Sequence, residues 1–176
     1  MNELALNWAF LAKIWVPDTF FVNGKQSFLH KITVPNRFVR ITPDGTVSYS
    51  QRLTLAAGCS MNLVKFPLDS QNCKLEIGSF GYTAKDVLYK WQKKPFSIGE
   101  EVALAQFHLA DASFGQYIGK SGRRDRSGYR NDSIVFLEFF FERQTGFFLL
   151  QIYTPLTLIV FCSWVSFFLV KSDAVS

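Results

Sequence analysis

The sequence predicts a mainly-β domain, a sandwich or a barrel, followed by one membrane-spanning helix. Three observations carry this expectation. Period-two patterning runs from Phe38 to Leu55, two cysteines close a short loop from Cys59 to Cys73, and no charged residue occurs in the 24 positions from Phe147 to Val170.

The strand signal is clearest around Pro43-Asp44-Gly45. Val39 and Ile41 alternate with Arg40 and Thr42 before this turn signature, and Val47, Tyr49, Leu53 and Leu55 alternate with polar residues after it. Period two means a strand with one buried and one wet face. Two such strands around a short turn make a hairpin. The register implied puts Arg40 opposite Ser48 and Phe38 opposite Ser50, so that Arg40, Ser48, Ser50 and Arg52 share a polar face. Further strands are expected at Lys74 to Phe80, Ala105 to Ala110, Ser113 to Ile118 and, most apolar, Ile134 to Phe141. Helical patterning is weak before Phe147. Several short strands with frequent turns argue for a sandwich or barrel.

The uncharged run would make a helix about 36 Å long, enough for a hydrocarbon core of about 30 Å with some tilt. Arg143 precedes it and Lys171 follows it. Pro155 would break a soluble helix, whereas neighbours in a membrane bundle can re-satisfy the freed backbone groups. The competing reading is a buried core helix.

A metal site at Cys59 and Cys73 would need further Cys or His at short spacing, and the only histidines, His30 and His108, lie far away. A disulfide is therefore favoured over a pair of free thiols, and it implies an oxidising compartment. On that reading the β domain, residues 1–146, is extracellular, Cys162 is a free thiol in the membrane, and Lys171 to Ser176 is inside. The net charge of +5 and the cluster Arg123, Arg124, Arg126 and Arg130 raise the question of nucleic acid. Gly and Ser interrupt the cluster and no stacking aromatics interleave it, so a solvated loop is expected and no nucleic-acid partner. Ile118-Gly119-Lys120-Ser121 lacks the Gly a phosphate loop needs, because Phe114 stands there. No histidine accompanies a nucleophile at a recognisable motif, so neither an enzyme nor a cofactor or metal is expected. The N-terminus has no basic region before its apolar stretch. That predicts an internal piece of a longer protein or an incomplete gene model.

The loop from Cys59 to Cys73 carrying Phe66-Pro67-Leu68-Asp69 resembles that of the Cys-loop pentameric ligand-gated ion channels, anion-type, such as the GABA-A and glycine receptors. Lys13 to Phe21, Asn36 to Thr54, Ser79 to Thr83, Glu142 to Pro155 and Ser163 to Leu169 carry the same resemblance. It implies an immunoglobulin-like β-sandwich, N-terminally truncated, as the ligand-binding domain over 1–142. The junction and first transmembrane helix would occupy 143–176, with the helix at about 147–170 and Asp173 to Ser176 as the lead-in to a pore-lining helix. It also implies a plasma-membrane, postsynaptic chloride channel gated by GABA or a related amino-acid transmitter, working as a homo- or heteropentamer. The family's ion-selectivity residues lie beyond Ser176.

By resemblance, transmitter binds between subunits. Phe20, Ser79, Phe80 and Tyr129 would be on the principal face, where ring faces attract an ammonium. Arg40 and Ser50 would be on the complementary face, holding a carboxylate. Phe20 and Phe80 could instead be core rings. Gly78 stands where agonist-binding subunits have an acid, and a further arginine-bearing complementary strand is missing. The family's finger, with Phe66, Pro67 in a cis bond, and Asp69, presses on the membrane domain, and Asp69 with Arg143 would form a partly exposed pair that couples the two. Closing a loop of this length restrains the unfolded chain by roughly 3 kcal/mol. Asn131-Asp132-Ser133 is a glycosylation sequon, in the presumed ligand-capping loop, where a glycan on Asn131 would be awkward. The alternative function is a single-span β-sandwich protein for adhesion or ligand capture. Further apolar spans beyond Ser176 would separate the two.

Overall fold

The structure is a computed structural model that describes residues 3–99, 104–125 and 128–173. Strands β1 (Leu4–Leu6), β4 (Arg37–Ile41) and β5 (Val47–Gln51) form one sheet in the order β1-β4-β5. A second sheet runs β2-β7-β9-β8, from β2 (Thr19–Phe21), β7 (Ser70–Ser79), β9 (Gly128–Arg143) and β8 (Phe107–Asp125). Strand β3 (Gly24–Leu29) pairs with β6 (Leu53–Ala57). A short 3-10 helix spans Trp8–Lys13, with the Asn7 side chain accepting from the Ala9 N–H at its start. The fold class is as expected, mainly β with a C-terminal apolar helix.

The chain divides into two compact units. One comprises Met1–Ser60, Cys73–Ile98 and Ala112–Glu138, and the other Met61–Asn72, Gly99–Asp111 and Phe139–Ser176.

In the first unit the β4–β5 hairpin has the register read from the alternation, with Arg40 opposite Ser48 and Phe38 opposite Ser50. Asp44 sets the turn: its carboxylate accepts the Thr46 N–H at 3.0 Å and bonds the Thr42 hydroxyl, while Gly45 takes a φ of 86° that a side chain would resist. Val39, on the opposite side of β4 from Arg40, is wholly buried. Ile134 and Val135 of β9 are also buried. The second strand of the patterned segment is interrupted at Arg52, where β5 ends and β6 begins with a new partner, β3. Strands β1, β2 and β3 were not legible beforehand. Burial is incomplete along them, all six residues of β3 being exposed, so no period-two contrast develops.

Three expectations change in detail. The two short strands expected at Ala105 to Ala110 and Ser113 to Ile118 are one strand, β8, of 19 residues. Strand β7 begins at Ser70, four residues early, and β9 begins six residues before Ile134 and ends two after Phe141. Backbone pairing continues through polar stretches that carry no hydrophobic period. Of the basic cluster, the side chains of Arg123 and Arg124 and all of Arg126 lie outside the described residues.

In the second unit a helix follows Thr145: α1 (Gly146–Phe148), a π-helical turn (Leu149–Tyr153) and α2 (Thr154–Asp173). Pro155 has no N–H to continue the ladder and its ring crowds the preceding turn. The chain answers locally. It widens into the π turn, and the Thr154 hydroxyl donates to the Leu149 carbonyl at 2.8 Å. Residues Gly146–Phe168 are long and apolar enough to cross a membrane, and beyond the buried Phe148 every residue from Leu149 to Phe168 is exposed. The core-helix reading therefore fails, because a core helix would be covered. Lys171 and Ala174 to Ser176 lie outside the residues whose side chains are described.

Candidate functional site

Two groups of expected site residues emerge in the first unit. On the β4–β5 sheet, Arg40 and Ser50 share a face with Phe38 and Ser48, as cross-strand pairing requires. The Arg40 guanidinium lies 5.1 Å from the Phe38 ring centre and reaches the Glu3 carboxylate at 3.3 Å. Both charged side chains are about half exposed (50% and 51%), so the pair is weak and exchangeable.

The second group sits where β2, β7 and β9 adjoin. Phe20 pairs with Gly78 across the β2–β7 ladder, and its ring meets Phe80 edge to face at 5.6 Å. Phe80 is 58% exposed, so it is a surface ring rather than a core one. Ser79 is buried. Its hydroxyl donates to the Asp18 carboxylate and accepts the Tyr82 N–H at 2.9 Å. Tyr129, also exposed, lies at the start of β9. Arg130 beside it forms an ion pair with Asp132 at 2.7 Å and donates to the Phe80 carbonyl at 2.8 Å and the Gly81 carbonyl at 3.2 Å. Asn131 is exposed on β9, while Ser133 of the sequon is buried and accepts the Tyr89 N–H at 2.9 Å.

Asp18, in the segment Lys13 to Phe21, was missed by the sequence reading. It holds the turn after β7 through the Ser79 hydroxyl and the Gly81 N–H. Desolvation pushes its carboxyl up, but the Ser79 and Gly81 hydrogen bonds outweigh that and hold it below its ordinary range. Asp18, two residues before Phe20 in a turn-forming Pro-Asp, was the available signal. Arg130 and Asp132, inside the basic cluster and the sequon, offered none that distinguished them.

Cys59 and Cys73 form the disulfide, with Cα atoms 5.2 Å apart, and Cys162 is a free, exposed thiol on α2. In the second unit the finger they bracket carries a cis Phe66-Pro67 bond. At its tip the Phe66 ring meets Phe148, at the start of the helix, edge to face at 5.0 Å. Asp69 takes a two-pronged grip from Arg143, Nε to Oδ1 at 2.6 Å and a terminal nitrogen to Oδ2 at 3.0 Å. The expected partly exposed pair is instead buried, with side-chain exposures of 6% for Arg143 and 2% for Asp69. The covering groups are rings. The Arg143 guanidinium lies 4.9 Å from the centre of Phe66, 4.4 Å from Phe107 and 5.9 Å from Phe148. Gln71 completes the arrangement, donating to Asp69 at 2.5 Å and bonding the Asn62 backbone at both ends of its amide. The Arg143 hydrogen bond holds the Asp69 carboxyl down to about 2, and Asp69 in turn raises the Arg143 guanidinium. Gln71, Phe107 and Phe148 could not be picked out beforehand, because nothing in an apolar or polar residue alone marks it as a neighbour of a distant ion pair.

The family model for the neurotransmitter-gated ion-channel ligand binding domain matches residues 1–145. The chain belongs to that family. It is 36% identical to a gamma-aminobutyric acid receptor alpha-like protein of Drosophila melanogaster over 96% of this chain and 35% of that protein. It is 42% identical to a gamma-aminobutyric acid receptor subunit beta of Caenorhabditis elegans over 96% of this chain and 30% of the other. With a gamma-aminobutyric acid receptor subunit beta-4 of Gallus gallus the figures are 41%, 96% and 34%. The chain thus spans about a third of the length of the curated relatives it matches. The family is one of receptors, not enzymes.

Proposed function

We propose that this chain is part of a subunit of a ligand-gated chloride channel, opened by GABA or a related amino-acid transmitter, in a homo- or heteropentamer of the plasma membrane. Residues 1–142 are its ligand-binding domain, and 143–176 its junction and first membrane helix. On this reading residues 1–146 are extracellular, in a postsynaptic membrane. The observation that carries the reading is the finger. A disulfide-closed loop places an acid and a ring against the arginine and the phenylalanine that lead into an apolar helix, the arrangement needed to pass a displacement from a binding domain to a pore.

The complementary face is the stronger half of the transmitter site. Arg40 and Ser50 offer a guanidinium and a hydroxyl on one exposed face, and charge-assisted hydrogen bonds of this sort contribute about 1.5–3 kcal/mol each. Glu3 competes only weakly for Arg40. On the principal side Phe20, Phe80 and Tyr129 supply rings, but Ser79 is engaged by Asp18 and Gly78 brings no carboxylate. The subunit therefore works beside a partner that supplies the acid. The test is co-expression of the complete subunit with a beta-type subunit. Arg40→Ala should lower agonist potency far more than Phe80→Ala, and the homomer should respond weakly or not at all. A larger loss from Phe80→Ala reverses the assignment of faces.

A further inference from the structure

Asn23-Gly24 is the one Asn-Gly pair in the chain. It lies between β2 and β3, where a register shift between Gly24 and Gln26 marks a bulge at the start of β3. Asn23 is half-buried and Gly24 is exposed. A Cβ at position 24 would stand 3.2 Å from the Phe21 carbonyl oxygen and 3.3 Å from the Leu55 side chain, tighter than ordinary van der Waals contact, so glycine fits this turn.

The Asn23 side chain reaches from the turn to two other parts of the chain. Its amide nitrogen donates to the Gly58 carbonyl at 3.0 Å and to the Lys74 carbonyl at 2.6 Å, and its oxygen accepts the Glu76 N–H at 3.2 Å. A carboxamide has two N–H donors and one oxygen, so each of its polar groups is engaged. Backbone bonds brace the same junction, from the Gly58 N–H to the Asn23 carbonyl at 2.8 Å and from the Val22 N–H to the Glu76 carbonyl at 2.9 Å. Gly58 immediately precedes Cys59, and Lys74 immediately follows Cys73. The clamp therefore grips the chain one residue outside each cysteine. It joins the residue after β6 to β7, and those two strands belong to different sheets. Asn23 and the disulfide are two ties on one pair of segments, all within the first unit.

We propose that Asn23 is a deamidation site gated by the Cys59–Cys73 disulfide, and that its conversion to an acid releases the two segments. The chemistry needs only water. The Gly24 backbone nitrogen attacks the Asn23 Cγ and bonds to it. The side-chain nitrogen leaves as ammonia, with the proton that the backbone nitrogen gives up. Water then adds to one of the two carbonyls of the ring and opens it to Asp or iso-Asp. Glycine favours the attack because no Cβ shields the nitrogen. The clamp opposes it, because Cγ reaches that nitrogen only after the carboxamide has rotated away from its three partners. While the disulfide holds Gly58 and Lys74 together, the clamp stays closed. On reduction the segments separate more often, and the amide is freed to react. The product does not re-form the clamp, because a carboxylate has no donors and would face two carbonyl oxygens. Two ties on the same segments support one another reciprocally, so loss of the amide also weakens the disulfide. None of this depends on the transmitter reading.

Deamidation is followed in the full chain with Cys162→Ser, which removes thiol exchange with the third cysteine. The chain is kept in detergent micelles in neutral buffer, oxidised or reduced, and sampled over days. Mass spectrometry of the peptide carrying residue 23 reads Asn against Asp and iso-Asp, and a synthetic peptide of Pro17 to Lys31 gives the unprotected rate. The oxidised chain should react at least about tenfold more slowly than the peptide, as a group that reacts only in an opened state does. Reduction, or Cys59→Ser with Cys73→Ser, should speed the reaction by about tenfold or more, because the lost tether multiplies the open population. The reciprocal arm is equilibrium with glutathione. Asn23→Asp should shift the Cys59–Cys73 couple towards the dithiol by about tenfold, and Asn23→Ala by less. Asn23→Ala carries this arm if Asn23→Asp does not fold. An oxidised chain that reacts as fast as the peptide, equal rates before and after reduction, or a glutathione equilibrium unmoved by either substitution would overturn the proposal.

Discussion

Replacing both Cys59 and Cys73 by serine removes a link between residues 14 apart in sequence, and the cost can be worked from that separation. In the chain-entropy treatment a closed loop of fifteen residues loses about 10 cal/mol/K of unfolded-state entropy, or about 3 kcal/mol at 25 °C. Burial within the finger does little to replace it. Val64 is 88% and Leu68 74% exposed, and the groups held at its tip, Asp69, Gln71 and Phe66, keep their partners when the sulfurs are gone. The loss should therefore be almost wholly that of the tether. Urea unfolding of the chain in detergent, followed by tryptophan fluorescence, reads it directly. With a slope of about 2 kcal/mol/M, the serine variant should unfold at a urea concentration about 1.5 M lower, and reduced wild type should match it. Cys162→Ser, on the exposed helix, should leave the midpoint where it was. A shift below about 0.5 M would mean that native contacts, and not loop closure, hold the finger.

The Asp69 carboxyl, held near 2 against an ordinary 3.8, contributes stability that is complete above about pH 4 and lost as pH falls through 2. An Asp69→Asn variant should lack that part of the acid transition, and superimposable acid curves would refute the pairing. In a complete receptor, Asp69→Ala should assemble and reach the surface yet open poorly, read as surface labelling against agonist current. A Cβ at Gly115 would run into the Phe136 ring, so Gly115→Ala should cost about 1–3 kcal/mol by overpacking, with Phe136→Leu recovering much of it. Expressed alone in oocytes, the chain should give no transmitter-evoked current, because a single span encloses no aqueous path. A current abolished by Arg143→Ala would overturn that.

The sequence by itself determined the features whose physics is local. The β4–β5 register follows from alternation around a turn residue that needs positive φ. The span follows from a run too long and too apolar for water, and the disulfide from two cysteines with no other company. Asp69 and Arg143 were also legible as a pair, through the motif that each belongs to. Their burial was decided only by the tertiary structure. It takes Phe66, Phe107 and Phe148, drawn from three separate segments, to cover the guanidinium, and no pattern along the chain encodes which rings those are. The same holds for Asp18 under the Ser79–Gly81 turn, and for Arg130 clasping the Phe80 and Gly81 carbonyls from β9. Strands β1 to β3 were illegible because burial along them is incomplete and their side chains carry no period. Local patterning reports which face of an element is dry. The partners that meet across segments are set by packing, where a residue 74 positions away becomes the nearest neighbour.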